Sequence, residues 1–470
     1  MTHDDPVISP VSGRPNLLLG SYDLGVLGYR ADEYFVAGHA VSYAPDATSA
    51  YTTRIVVLRP VDESAWNGTV VVEWLNVSGG IDAPAVWFMA HREIARAGYV
   101  YVAVSAQRVG VEGGPSLAGG MSLKEQDPQR YSDLNHPGDN FSFDIFSQIG
   151  RAVRAGMVGG LAPQFVLAAG ESQSAAFLTC YVNEIDSAAQ VFDGFLVHSR
   201  FGSAATLAST SLLDETAALH TLPVPFREDL RVPVLAVITE TDLLGAGRLG
   251  YHRARVPDAD HLRVWEVAGS AHADNYTIKV GFIDDGAAPL DQIVAAYAPI
   301  SDLMGQQLSH FINFAPQHHY VLQAAIAQLH DWVRTGRRAP SAPRIEVTDG
   351  DSPSITVDAH GVATGGVRTP WVDVPTARTS GIGVTDDRLL AIFGSGEPFD
   401  AALLGQLYPG GAEEYLQRFT AVLDDAIAAG FLLAADRAEI LELAQACFPS
   451  GVESATGGAT GLRAKRGQGA

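Results

Sequence analysis

Five residues, Gly170-Glu171-Ser172-Gln173-Ser174, join an apolar run at 164–169 to a helical one that opens with Ala175-Ala176-Phe177. A serine at such a sharp strand-to-helix turn is held in a strained backbone conformation that lifts its hydroxyl above the sheet. The turn tolerates only small residues two positions either side. Gly170 and Ser174 meet that demand, although Ser174 stands where a second glycine is commoner. Ala175 and Ala176 let the helix approach closely, and its first turn would offer the Gln173 N–H to a developing oxyanion. Ser172 is therefore a candidate nucleophile. Such five-residue patterns also arise by chance at strand ends; the flanking strand and helix give this one its weight.

A serine hydroxyl reacts only when a neighbouring base removes its proton, and that base needs an orienting carboxylate. Where a strand–serine–helix turn does this chemistry, the acid and then the histidine follow the serine, each after a different strand. Asp242 lies past the apolar run 232–239, and His272 follows the run 262–268 across Gly269-Ser270-Ala271. Both fall at strand C-terminal ends, where open α/β sheets bind ligands. Glu240, two residues before Asp242, is the alternative acid. His198 as base would precede the acid, and His261 begins its strand, at the opposite edge of the sheet. His318-His319 reads as a helix start. His272-Ala273-Asp274 is the densest metal-type cluster near the site, but no HExxH or paired-cysteine motif accompanies it. No metal or other cofactor is expected. The second oxyanion donor is expected from the turn after 68–76, through the backbone N–H of Asn76 or Val77, with Gly79-Gly80 letting that loop come close. The Asn76 side chain has a simpler use in bonding its own turn.

These groups need a sheet to hold them. From about 28 to 283, short β-type runs alternate with helical stretches, the pattern of a mostly parallel α/β sheet. The runs 34–41 and 51–60 mix polar and apolar residues and read as half-buried, antiparallel edge strands. Residues 99–105 form a near-continuous apolar run suited to a strand buried on both faces. Helical spacing appears at 83–97, 143–155 and 319–337. Residues 110–140 are rich in Gly, Pro, Asp and Asn and read as a long excursion, and 199–231 has room for a small lid at most. The expected organisation is an N-terminal segment (1–27), a catalytic domain (28–338), an extension of short strands and helices packed on it (339–450), and a Gly/Ala-rich disordered tail (451–470).

Composition narrows the partners. Over 470 residues, 53 acids oppose 31 bases for a net charge of −22. That balance disfavours nucleic acid and anionic membrane surfaces alike, and leaves a small-molecule substrate as the expected partner. Oligomeric state is not legible. The two cysteines, Cys180 and Cys447, do not make a disulfide framework, and Cys180 falls in an apolar helical stretch. The first residues lack the basic patch and apolar run of a signal peptide, and no apolar run nears the ~20 residues of a membrane helix, so a soluble cytoplasmic protein is expected.

With turn, acid and histidine in place, the chain resembles the α/β-hydrolase superfamily from about Gly28 to Gly336. More narrowly, it is similar to a bacterial family labelled only as alpha/beta hydrolase domain proteins. The matching stretches are 72–78 (VEWLNVS), 136–139 (HPGD), 169–175 (AGESQSA), 265–269 (WEVAG) with His272-Ala273-Asp274, and 368–375 (RTPWVDVP). The resemblance implies the α/β-hydrolase fold and a Ser-Asp/Glu-His hydrolase. It carries over Ser172 and His272, leaves the acid between Asp242 and Glu240, and says little about substrate. The leading expectation is a cofactor-independent carboxylic-ester hydrolase. Amide or lactone hydrolysis, acyl transfer to an alcohol, and a non-catalytic binding protein on the same fold are the rivals.

Overall fold

Runs of Val, Ile, Leu and Ala that are apolar at every position cannot face water on either side, so a sheet built from them must be covered on both faces. The computed structural model, which describes residues 5–117, 119–209, 222–350, 352–385 and 387–449, has such a sheet at its centre. Its strands are β1 (Val7–Val11), β2 (Tyr29–Tyr43), β3 (Asp46–Pro60), β4 (Thr69–Trp74), β5 (Val100–Val104), β6 (Phe165–Glu171), β7 (Gly194–His198), β8 (Val234–Thr239) and β9 (Leu262–Val267). They lie in the order β1-β2-β3-β5-β4-β6-β7-β8-β9. The pairs from β5 through β9 are parallel, and β1, β2 and β3 join antiparallel at one side. Strands β4, β5, β7, β8 and β9 are buried along their whole length. The expected α/β-hydrolase architecture is the observed one.

Two hydrophobic layers cover the faces. On one, the helices Ser142–Arg154 and Gln173–Cys180 pack Phe143, Phe146 and Phe177 around Trp74 at the end of β4. On the other lie the helices Ala85–Arg96 and Gln317–Thr335. That layer continues into the C-terminal part of the chain. The helix Ala412–Ala429 buries Tyr415, Phe419, Leu423 and Ala426, one stripe at helical spacing, in the same layer as Trp87 and Tyr320. Tyr320 and Trp371 stack with ring planes 3° apart, Phe431 meets Trp265 edge-on, and Arg92 pairs with Glu439 at 3.0 Å. Val367 pairs with Val267, so this segment also covers the outer edge of β9.

Three expectations change. Residues 7–11, read as part of a segment outside the sheet, form β1 along β2. The β2–β3 hairpin is therefore not the edge, and β3 sits between β2 and β5. The excursion 110–140 is partly ordered. The helix Arg108–Glu112 enters it, and Leu123–Gln126 is a helical turn closed by a Ser122/Glu125 capping box. That Ser-x-x-Glu signal was present in the sequence but lay among turn formers. Val111, Leu123, Tyr131 and Leu134 make a small buried cluster beneath it. Residues 210–221 of the lid-sized segment and the tail 451–470 lie outside the described residues. Among the described residues no helix is long and apolar enough to cross a membrane. Both cysteines are free, Cys180 buried and Cys447 exposed.

Candidate active site

Ser172 directly follows β6 with φ 55 and ψ −114, a left-handed conformation that non-glycine residues adopt only when the surroundings enforce it. The enforcing contacts are local. The Ser172 N–H donates to the His198 carbonyl of β7 at 3.0 Å. The Ser174 hydroxyl accepts the Glu171 N–H at 2.9 Å and donates to the Glu171 carbonyl at 2.8 Å, closing the turn from within. This explains why serine stands where glycine is commoner. A Cβ at Gly170 would lie 3.2 Å from the Ser174 carbonyl oxygen, a tight approach that favours the small residue there.

Asp242 sits in the first turn of the helix Glu240–Leu244, directly after β8. Its Oδ2 accepts from the Thr239 N–H at 2.8 Å and hydroxyl at 2.7 Å, leaving Oδ1 to meet His272 Nδ1 at 2.6 Å. The Asp242 side chain is fully buried, and that of His272 is 8% exposed. The His272 N–H donates to Thr241 Oγ1 at 3.1 Å, and Phe201 stacks on the imidazole at 5.2 Å. Burial disfavours the imidazolium, but the charge of Asp242 and its hydrogen bond, with the charge of Glu171, outweigh it and raise the His272 pKa.

Glu240, the alternative acid, has a different occupation. It accepts the Gly269 N–H at 2.5 Å, the Gly381 N–H at 2.8 Å and the Ser380 hydroxyl at 2.8 Å, tying the ends of β8 and β9 to the C-terminal segment. Burial pushes its pKa up against those donors. Both acids are used, one on the histidine and one on the scaffold.

The ring nitrogen of His272 that points away from Asp242 faces Glu171: Nε2 to Oε1 is 3.4 Å. No hydrogen bond joins Ser172 Oγ to His272 among the described residues. Glu171 is itself held by Asn76 Nδ2 at 2.8 Å, and burial lifts its pKa to about 7, against the charge of His272 and the Asn76 hydrogen bond. Sequence reasoning assigned Glu171 no role; its one signal was adjacency to Ser172.

In-register pairing of Trp74 with Gly170 sets the turn after β4 beside the turn after β6. Asn76 links them through Nδ2, which also reaches the Glu171 carbonyl at 3.1 Å, while its Oδ1 accepts the Ser78 N–H at 2.8 Å within its own turn. The backbone N–H of Asn76 is donated to the Ala83 carbonyl at 3.0 Å. This corrects the expectation for Asn76: its N–H is spent on a bridge across the loop. Val77, the neighbouring candidate, and Gln173, first residue of the helix Gln173–Cys180, have N–H groups with no acceptor among the described residues.

The rings of the other candidate histidines have other partners. His198 Nε2 meets His318 Nε2 at 2.8 Å in a buried pair, and burial holds both rings toward the neutral form. His319 stacks on Tyr276 at 3.8 Å. His261 bonds the Leu230 carbonyl at the far end of the sheet. Asp274 caps the helical turn Asn275–Ile278. Among the described residues no group of three or more His, Cys, Asp or Glu side chains is arranged to hold a metal ion.

No curated protein matches the chain in sequence. Solved structures with a similar arrangement include a candidate dienelactone hydrolase from Klebsiella pneumoniae (13% identity, TM-score 0.32, 56% of this chain and 95% of that one). An esterase from Pyrococcus furiosus (9%, TM-score 0.31, 55% and 88%) and a fungal esterase from Rhizomucor miehei (12%, TM-score 0.31, 66% and 86%) are also similar. A family model described as "Alpha/beta hydrolase domain" matches residues 3–442, nearly the whole chain, and the protein belongs to that family.

Proposed function

We propose that the protein is a serine hydrolase that cleaves a carboxylic ester through an acyl-enzyme. The observation that carries this reading is the Asp242–His272 pair, 2.6 Å apart and shielded, at the same sheet edge as the strained Ser172. In this reading Ser172 Oγ attacks the ester carbonyl carbon while His272 Nε2 takes its proton. Asp242 holds the ring with Nδ1–H toward itself and stabilises the imidazolium that forms. The N–H groups of Gln173 and Val77 receive the tetrahedral oxyanion. Collapse expels the alcohol, protonated by His272, and leaves Ser172 acylated. Water, deprotonated by the same histidine, then attacks the acyl carbon and returns the serine as the carboxylic acid leaves. The C–O bond broken in each half is replaced by the C–O bond formed, so no redox partner is needed.

The test is labelling by a fluorophosphonate together with hydrolysis of short 4-nitrophenyl esters. Wild type is expected to be labelled stoichiometrically and to show an acyl-enzyme burst, and Ser172→Ala to lose both. Equal labelling of the two proteins would sink the assignment of Ser172. Parallel assays on lactones, amides and an acceptor alcohol separate ester hydrolysis from the other acyl chemistries this machinery could run.

A further inference from the structure

Near the candidate active site stands a cation with no counterion among the described residues. Arg248 makes no side-chain hydrogen bond and no ion pair among the described residues, and one of its terminal nitrogens is buried with no partner. Its guanidinium lies over Phe201, 5.1 Å from the ring centroid, and Phe201 stacks on His272. Arg255 and Arg344, by contrast, are paired, with Glu266 at 2.6 Å and with Asp258 at 2.7 Å. A guanidinium stays protonated across the physiological range, and withdrawing one from water without a partner costs stability. In a chain of net charge −22, acids to pair with it are abundant.

The backbone is built to put it there. Gly245, Ala246 and Gly247 all have positive φ (100, 44 and 81), an unfavourable run for Ala246. A side chain at Gly245 would meet the Arg248 carbonyl oxygen at 2.2 Å, so the turn cannot relax by gaining one. The turn follows immediately on the helix that carries Asp242, which ties Arg248 to the acid of the site. The turn itself lines a cavity of about 330 Å³, with Thr241, Ala246 and Gly247 on one side and Gly381, Ile382 and Arg388 on the other. Thr241 connects this cavity to the histidine, since its hydroxyl accepts the His272 N–H and donates to the Gly381 carbonyl. Arg388 comes within reach of Gly247, so a second cation stands close to the first. Asp387, its neighbour, is turned to the Leu389 and Leu390 N–H groups.

We propose that Arg248, reinforced by Arg388, forms a carboxylate-binding subsite, so that the ester brought to Ser172 carries a second, free carboxylate. A guanidinium offers two parallel N–H donors to a carboxylate, and such pairs are the strong ones when shielded. The assignment rests on the serine-hydrolase reading above and adds to it a substrate class: hemiesters of small dicarboxylic acids, or esters of small hydroxy acids.

The experiment uses matched pairs that differ by one methyl ester. Mono-4-nitrophenyl adipate is compared with methyl 4-nitrophenyl adipate, and 3-acetoxybenzoate with its methyl ester, in wild type, Arg248→Met and Arg248→Lys. Wild type is expected to favour the acidic member of at least one pair in kcat/KM by about tenfold or more. That ratio is expected to fall to about one in Arg248→Met and to an intermediate value in Arg248→Lys, since an ammonium keeps the charge but not the paired donors. Fluorophosphonate labelling of the wild type reads the nucleophile independently. Labelled wild type with no preference for either acidic ester, or a preference that survives Arg248→Met, overturns the subsite and leaves the hydrolase reading standing. Wild type that is neither labelled nor active on any of the four esters overturns both.

Discussion

Asp242 meets His272 with one carboxylate oxygen and Thr239 with the other. Oδ1 lies 2.6 Å from His272 Nδ1, while the Thr239 N–H and hydroxyl hold Oδ2 at 2.8 and 2.7 Å. The acid is thus fixed from behind by the cap of its own helix, and cannot swing away from the ring without breaking that cap. Glu240, two residues earlier, points into a different set of donors.

This division of labour separates two variants. Asp242→Asn is expected to lower kcat by on the order of 10³–10⁴-fold, because the amide favours the wrong ring tautomer. Glu240→Gln presents an amide NH₂ where one of the N–H donors needs an acceptor, at a cost of about 1–3 kcal/mol in stability. Thermal melts and kinetics normalised to titrated active sites distinguish them. A larger loss of kcat in Glu240→Gln would reverse the assignment.

Glu171 makes the protein pH-sensitive in a definite direction. Burial lifts its folded pKa from 4.5 to about 7, so the folded state holds this proton more tightly than the unfolded chain. The stability it contributes is complete below about 4.5 and is lost as pH rises through about 7. Glu171→Gln removes that dependence, so its stability relative to wild type is expected to improve steadily across this window in urea titrations. The carboxylate also favours the charged form of His272. The acid limb of the kcat/KM profile is therefore expected to move to lower pH in the same variant. An unshifted limb would show that Glu171 does not act on the histidine.

Ser174 replaces a glycine with a hydroxyl that closes the turn through two hydrogen bonds to Glu171. Ser174→Ala is expected to cost about 1–3 kcal/mol, since it leaves a buried N–H unpaired. A drop in kcat with little change in KM would follow from a loosened Ser172. If stability and kcat are both unchanged, the hydroxyl is not what holds the turn.

Trp74 is fully buried beneath the two turns, against Phe143, Phe146 and Phe177, and its indole N–H donates to Gln107. Trp74→Ala is expected to destabilise by about 3–5 kcal/mol, and Trp74→Phe by less. Chemical denaturation measures the difference. A cost below 1 kcal/mol for the alanine variant would mean that this cluster does not anchor the turns.

Much of this architecture is written in local patterns. The near-continuous apolar runs of β5 and β8 are suited only to a covered parallel sheet, and alternation of strand with helix follows from period alone. Small residues around Ser172, and the order of Ser172, Asp242 and His272 at successive strand ends, are properties of sequence too. The strand Val7–Val11 escaped because five half-exposed residues with a proline carry no periodic signal, and pairing with β2 supplies what the segment lacks.

What the chain by itself determined, then, is the sheet, the turn that presents Ser172, and which residues arrive at the same edge. Only the tertiary structure decided how polar groups that arrive together divide the available partners. Asp242 and Glu240 are alike in sequence, but one meets an imidazole and the other three donors brought from distant segments. Asn76 loses its N–H to Ala83, and Val77 keeps its own. Glu171 faces His272, and Arg248 has no counterion among the described residues, through contacts between strand ends far apart in the chain. Hydrogen bonds and charges act over a few ångströms, and those distances exist only once the sheet has brought its loops together.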